Sequence, residues 1–247
     1  MKYLAIIGFI IVIVIVSIYL YFNFYTKADI PVYALYIPKR EDHIKRFMSN
    51  LGFDAKFVQG PNKNEIDRNK LVENGLITYD CQLNSGRICC HLGHCQILSD
   101  FLATDKEECL IFEDDLECSY SPAKVHNTIK QQLQDAPEDW DIINMGSCWR
   151  KCQKDEYVAD NLVKAENALC RHGYLVNRKG AKKILQGTLP MDNKPGDASI
   201  VAMGQDINIY ATSPRLFEQR RDDSDTFTSN LENGKAPPPE CKKQIIK

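Results

Sequence analysis

The run Leu110-Ile111-Phe112-Glu113-Asp114-Asp115-Leu116 sets the narrowest limit on how this chain can fold. A short apolar stretch with the character of a buried strand is followed without a break by three carboxylates. Burying such a cluster unpaired is very costly, so the strand has to end at a solvent-reached edge facing a cation, an Arg or Lys side chain, or backbone N–H groups. In an open α/β sheet that edge lies outside the carboxyl ends of the strands, where ligands collect. Two readings follow: a divalent-metal and phosphate site, or an acidic strand-to-loop turn whose charges face water. On strand periodicity Glu113 and Asp115 point together and Asp114 points away.

The surrounding pattern supplies the α/β setting. Val32–Ile37 is β-branched and aromatic and is closed by Pro38, which marks a first strand. Glu41–Leu51 carries Ile44, Phe47, Met48 and Leu51 at helical spacing, with Gly52 as its stop. Lys56–Val58 reads as a second strand, and Asn62–Ser85 as a polar loop holding a short helix near Glu65–Glu73. Arg87–Thr104 has an apolar stripe through Ile88, Leu92, Cys95, Leu98, Phe101 and Leu102, and leads into the strand Cys109–Phe112. Pro122 opens a helix to about Leu133, and Asp141–Gly146 is a core strand. Cys148–Asn161 reads as a polar surface excursion and Val163–Val176 as one or two strands. Arg178–Gln186 is a helix, Leu189–Asp197 a loop leading into the apolar run Ala198–Met203, and Ile207–Tyr210 and Arg215–Phe217 are late strands. Beyond Arg220 the chain is polar and proline-rich, a loose tail.

Ahead of this domain, Leu4–Phe22 is apolar or aromatic except at Gly8 and Ser17. As a helix it rises roughly 28 Å, close to the hydrocarbon thickness of a bilayer. A cleaved signal peptide is the rival, but Tyr19, Tyr21, Phe22 and Phe24 stand where a cleavage site needs small residues and instead suit an interfacial belt. The expected organisation is a transmembrane anchor (1–25), a short stem (26–31), one catalytic domain (32–230) and a flexible tail (231–247). A lumenal domain in the secretory pathway is the preferred orientation. The formal net charge of −2 argues against a general attraction to nucleic acid. Ten cysteines favour an oxidising compartment, whereas no Asn-x-Ser/Thr sequon is present to mark lumenal exposure.

Several clusters carry possible chemistry. Cys90, His91, His94 and Cys95 have metal-ligand composition, but four ligands so close on one helix do not readily surround a tetrahedral zinc; packed thiols with one functional or hydrogen-bonded histidine is the preferred reading. Cys148 and Cys152 could bridge if the chain turns between them. Gly-rich phosphate loops and the Gly-x-Ser-x-Gly elbow are absent. Arg171-His172 and Arg178-Lys179 read as short solvated basic runs, and Arg220-Arg221-Asp222-Asp223 as a surface charge mixture with a possible phosphate contact. Asp192 and Asp197 fall in a Pro/Gly loop, where an aspartate is ordinarily a turn former.

Six segments in order resemble glycosyltransferase family 25, the group of lipopolysaccharide-type and procollagen galactosyltransferases, over about Val32–Asn230. Ile37–His43 resembles the family's N-L-x-x-R-x-D-R turn, with Arg40 and Asp42 matching and Tyr36 and His43 in place of Asn and the second Arg. Gly86–His94 resembles G-x-I-G-C-x-x-S-H, keeping His94 but with Cys89 and Gly93 in place of Gly and Ser. Leu110–Leu116 is similar to L-I-L-E-D-D-V, Asp139–Gly146 to D-W-D-I-I-x-x-G, Tyr174–Ile184 to Y-L-x-x-R-x-G-A-x-K-L, and Ser224–Thr228 to S-D-T-x-S.

The resemblance implies a single-domain A-type glycosyltransferase fold with a mostly parallel mixed sheet. It implies Mn²⁺ on the diphosphate of a UDP-sugar, with Asp115 the first choice as ligand and Glu113 beside it. Arg40, Asp42, His94 and Asp114 would serve the nucleotide-sugar site, Asp114 through the ribose or the local backbone. It further implies inverting transfer of galactose or glucose to a hydroxyl on a glycan or a protein, with Asp197 preferred over Asp192 as base. The alternative is an inactive membrane-anchored binding or structural protein that keeps the fold.

Overall fold

The computed structural model describes residues 30–148, 150 and 154–220. The apolar run Leu4–Phe22, the Ser224–Thr228 segment and Cys152 lie outside the described residues, as do Arg221, Asp222 and Asp223. Among the described residues, no helix is long and apolar enough to cross a membrane. The chain separates into Met1–Ile30 and Pro31–Lys247, and the architecture below is that of the second unit.

The chain opens with β1 (Val32–Tyr36), turns through Pro38–Arg40 into α1 (Glu41–Leu51), and returns in β2 (Ala55–Gln59). Gly52 ends α1 in the left-handed region at φ 74°, donating its N–H to the carbonyls of Met48 and Ser49. A short α2 (Arg68–Glu73) precedes α3 (Ser85–Leu102), whose first turn is capped by the Asn84 side chain accepting from the Arg87 N–H. Then come β3 (Glu108–Glu113), β4 (Leu116–Glu117) and α4 (Pro122–Asp135), the last with Ser121 as cap and proline in its first turn. β5 (Ile142–Asn144), β6 (Glu156–Ala159), β7 (Leu162–Lys164) and β8 (Gly173–Asn177) follow, then α5 (Arg178–Thr188), α6 (Gly196–Ala202), β9 (Ile209–Thr212) and β10 (Glu218–Gln219).

Eight strands form one sheet in the order β2-β1-β3-β8-β5-β9-β7-β6, while β4 and β10 make a small antiparallel pair beside it. β1 pairs in parallel with β2 and β3, and β5 with β9. β8 is antiparallel to both β3 and β5, and β7 to both β6 and β9. The sheet is therefore mixed: β8, between β3 and β5, and β7 run against the direction of the other six strands. After β5 the chain makes the β6–β7 hairpin and re-enters the sheet from the edge where β3 and β5 end. That reversal places the residues just ahead of β8 alongside the residues that follow β3: Gly173 pairs with Phe112, and the Glu113 N–H donates to His172 O at 2.9 Å.

Helices cover both faces. Tyr33, Leu35, Cys109 and Ile111 share a core with Ile97, Leu98 and Phe101 of α3, Ala181 and Ile184 of α5 and Ile200 of α6. On the other face α1 packs on α4, and the Phe112 ring meets those of Phe53 and Phe217. α3 is buried more fully than a single stripe predicts, with Ile88, Cys89, His91, Gly93, His94 and Cys95 all enclosed. One run that the sequence leaves unassigned takes its form here, and one expected strand is absent among the described residues. Ala198–Met203 belongs to α6 and the turn after it, and Leu216 and Phe217 are buried without forming a strand, both donating their N–H groups to the Met145 carbonyl.

Candidate active site

The carboxyl ends of β1, β2 and β3 leave a cavity of about 260 Å³, walled by Leu35–Arg40, Gln59–Asn64, the start of α3 and the three acids Glu113, Asp114 and Asp115. A second cavity of about 250 Å³ adjoins it through Cys90 and Glu113, which line both, and continues to Arg171, Cys170, Asp197 and Gln219. The first cavity carries charges of both signs, because Lys39, Arg40 and Lys63 line it along with the acids.

Each acid has a different setting. Asp114 is a brace: its Oδ2 accepts the Ile37 N–H at 2.6 Å and its Oδ1 accepts Arg40 Nε at 2.7 Å. Burial raises its pKa to about 6, against the opposing pull of Arg40. The carboxylate thus locks the tip of β3 to the corner between β1 and α1. Glu113 is held from behind by His94, whose Nε2 lies 2.6 Å from Glu113 Oε1, while His94 Nδ1 lies 3.0 Å from the Tyr174 hydroxyl. Burial, reinforced by Arg171, lowers the His94 pKa well below 6.5 and keeps the ring neutral. The neutral ring donates from Nε2 to Glu113 and accepts from Tyr174 at Nδ1. Burial also raises the Glu113 pKa.

Asp115 is the least compensated of the three. It is only 4% exposed, its Oδ2 accepts Gln219 Nε2 at 2.9 Å, and its backbone carbonyl accepts the Arg220 N–H at 2.7 Å. Its Oδ1 is buried with no hydrogen-bond partner among the described residues. Burial and then the nearby Glu113 charge push its pKa to about 7. An orphaned carboxylate oxygen beside a second carboxylate fits a hard divalent cation, for which oxygen donors are the preferred ligands.

The predicted residues divide between the cavities and elsewhere. Arg40, Glu113, Asp114 and Asp115 meet in the first cavity, and Asp197 lies in the second together with Glu113. Asp197 is fixed by two backbone donors, Cys170 N–H to Oδ2 and Ala198 N–H to Oδ1, each 2.9 Å. Asp192 is not brought to either cavity. Its side chain is 46% exposed and ion-pairs with Lys194 at 2.6 Å, an interaction that lowers its pKa, and its Oδ1 accepts the Lys194 N–H as a turn former does. Asp42 is also outside, exposed on the first turn of α1, where a carboxylate favours the helix N-terminus. His94 is fully buried and reaches the cavities through Glu113.

The other clusters sort themselves by packing. Cys90 and His94 gather with Glu113, whereas His91 turns to Thr188 at 2.8 Å and to the Cys95 thiol at 3.5 Å. The eight described cysteines are thiols. The Arg171-His172 pair is not a solvated basic run: Arg171 is 8% exposed and His172 fully buried, because both precede the reversed strand β8. Arg171 Nη2 lies 3.2 Å from His91 Nδ1, while Nη1 is buried with no hydrogen-bond partner among the described residues. Gln219 is the other contributor that residue types alone did not single out. The only signal for either is position, just before β8 and opposite β4.

The sequence model of Glycosyltransferase family 25 (LPS biosynthesis protein) matches residues 35–200, which include the acid cluster, Arg171 and Asp197. The chain belongs to this family. A Glycosyltransferase 25 family member of Aedes aegypti is 26% identical over 172 residues, 63% of this chain and 28% of that protein. Procollagen galactosyltransferase 1-A of Xenopus laevis is 26% identical over 171 residues, 62% of this chain and 28% of the relative. The matched region thus spans little more than a quarter of these curated relatives. Among solved structures, a glycosyltransferase involved in the glycosylation of the major capsid of PBCV-1 superposes with a TM-score of 0.36 at 9% identity, over 78% of this chain and 94% of that one.

Proposed function

We propose that this chain transfers a hexose from a UDP-sugar to an acceptor hydroxyl with inversion at the anomeric carbon. The observation that carries the reading is the orphaned Oδ1 of Asp115, a residue that lines one cavity with Glu113, next to a second cavity that Glu113 shares with Asp197. The first cavity would take the nucleotide diphosphate between the acids and Lys39, Arg40 and Lys63, and the second the sugar and the acceptor. Glu113 and Asp115 would hold Mn²⁺, which when bound supplies Lewis-acid stabilisation of charge on the leaving diphosphate. Asp114 and Arg40 keep the cavity corner rigid, and the Tyr174–His94 pair orients Glu113. Asp197, oriented by its two backbone donors, takes the proton from the attacking hydroxyl. Family membership and the name of the Xenopus relative support galactose, with a collagen-type hydroxylysine as one acceptor and a glycan hydroxyl as the other. The run Leu4–Phe22 would anchor the domain to a membrane, with a lumenal orientation preferred.

The departure at Gly93 falls where α3 packs on β1: a Cβ there would lie 2.6 Å from Leu35 Cδ1, a side-chain methyl that would have to shift to admit it. The test is a nucleotide-sugar panel with Mn²⁺, reading donor hydrolysis and transfer to hydroxylysine peptides and oligosaccharides. Asp197→Asn should lower kcat by about 10²–10⁴-fold with donor binding retained, and Asp115→Asn should abolish metal-dependent transfer. No turnover of any donor by the wild-type protein would leave the inactive binding-protein reading in its place.

A further inference from the structure

Behind the second cavity lies a donor group that the transfer reaction does not use. Cys148 follows β5, and its N–H donates to the Leu169 carbonyl at 2.9 Å in an isolated antiparallel bridge. That bridge draws Cys148 alongside Cys170. His172 is fully buried two residues further on, and the Sγ atoms of both cysteines and a ring nitrogen of His172 all lie within 4.8 Å of one another. We propose that Cys148, Cys170 and His172 bind a thiolate-seeking divalent cation of the zinc class, at a site separate from the carboxylate cluster.

The donor chemistry makes the choice of ion. Two sulfurs and an imidazole select zinc over manganese or magnesium, which prefer oxygen. Tetrahedral zinc with its usual bond lengths sets such ligand atoms about 3.5–3.8 Å apart, so small side-chain rotations close the set. His172 Nε2 lies 3.4 Å from the Phe217 carbonyl; a proton on Nε2 donated to that oxygen leaves Nδ1 as the ligand atom, an arrangement that commonly orients metal-bound histidines. Cys170 holds a left-handed backbone at φ 67°, unusual for a residue with a Cβ, and is fixed from both sides. Asn144 Nδ2 donates to its carbonyl at 2.6 Å, and its own N–H donates to Asp197. Cys170 also lines the second cavity, which offers the ion an entry path and a water as fourth ligand. Binding releases the two thiol protons to solvent.

Occupation of this site would pin the segment carrying Arg171 and the N–H that orients Asp197. The test uses the full chain in detergent, reduced, stripped with a chelator, and titrated with Co²⁺ alone. The expected result is a thiolate-to-cobalt charge-transfer band that saturates near one equivalent and is displaced by Zn²⁺. Cys148→Ser and Cys170→Ser should each remove most of the band, and Cys90→Ser should leave it. Because a variant can misfold, alkylation mapped by mass spectrometry is run on the wild-type protein, where Zn²⁺ should protect Cys148 and Cys170 together. Absence of the band, its loss in Cys90→Ser alone, labelling unchanged by zinc, or a disulfide on Cys148 that zinc cannot replace would each overturn the proposal.

Discussion

Asp115 shows how one side chain can be a cost to the fold and an asset to the site. Its carboxyl titrates near 7 in the folded protein, against an ordinary value of 3.8, because burial and the Glu113 charge both oppose ionisation. A raised carboxyl pKa means the folded state holds its proton where the unfolded chain has released it. Stability of the metal-free protein is therefore fully present below pH about 4 for this group and is lost as pH rises to about 7. Asp115→Asn keeps the shape and the Gln219 contact while removing the ionisation. We expect the substitution to raise the melting temperature of chelator-treated protein at pH 8 and to change it little at pH 4. Equal shifts at both pH values would mean that Asp115 is ionised at little cost. The neighbouring acid has a different balance, since Asp114 meets Arg40 and the Ile37 N–H directly, which suits it to a structural task.

At the scale of elements, the domain depends on α3, α5 and α6 packing closely on the sheet. α5 does so at Gly180, where an added Cβ would lie 2.3 Å from the Asp141 carbonyl oxygen, a backbone atom that cannot rotate away. Gly180→Ala should destabilise the domain by about 1–3 kcal/mol, as overpacking does, measured by urea unfolding; a neutral result would mean that α5 can slide on β5. This contact also shows what local pattern can convey. Val32–Tyr36, Glu41–Leu51 with its Gly52 stop, and the acid cluster after β3 were all legible, since each is written in a few neighbouring residues. Arg171 and His172 were not, because their burial follows from the direction of β8, which nothing within Arg171–Asn177 specifies. The choice between Asp192 and Asp197 was half legible. Both fall in one Pro/Gly stretch, and what separates them is distant: Lys194 holds Asp192 at the surface, whereas Cys170, brought in by the same reversed strand, holds Asp197. Leu216 and Phe217 carry the apolar signal of a strand but spend it on packing beside Met145.

Across the whole molecule, the ends of three parallel strands and the start of one reversed strand converge on a single sheet edge, and charge is distributed to match. Acids sit at the tip of β3, with Lys39 and Arg40 after β1 and Lys63 after β2 on the same cavity. A diphosphate alone would meet Glu113 and Asp115 unfavourably, and a cation alone would have the basic side chains opposite it. Each ligand therefore lowers the cost of binding the other, and by linkage the two should bind with positive coupling. A ligand pair present at 100 times its dissociation constant stabilises the fold by about 2.7 kcal/mol. For a domain of this size that corresponds to a rise in Tm of roughly 5–10 °C. UDP with Mn²⁺ should produce such a rise, and either alone a clearly smaller one. The surplus should vanish in Asp115→Asn and survive in Asp192→Asn, whose carboxylate lies outside both cavities and is neutralised by Lys194. Equal shifts with UDP alone and with the pair would show that the basic side chains suffice for the diphosphate and that the acid cluster serves some other cation or none.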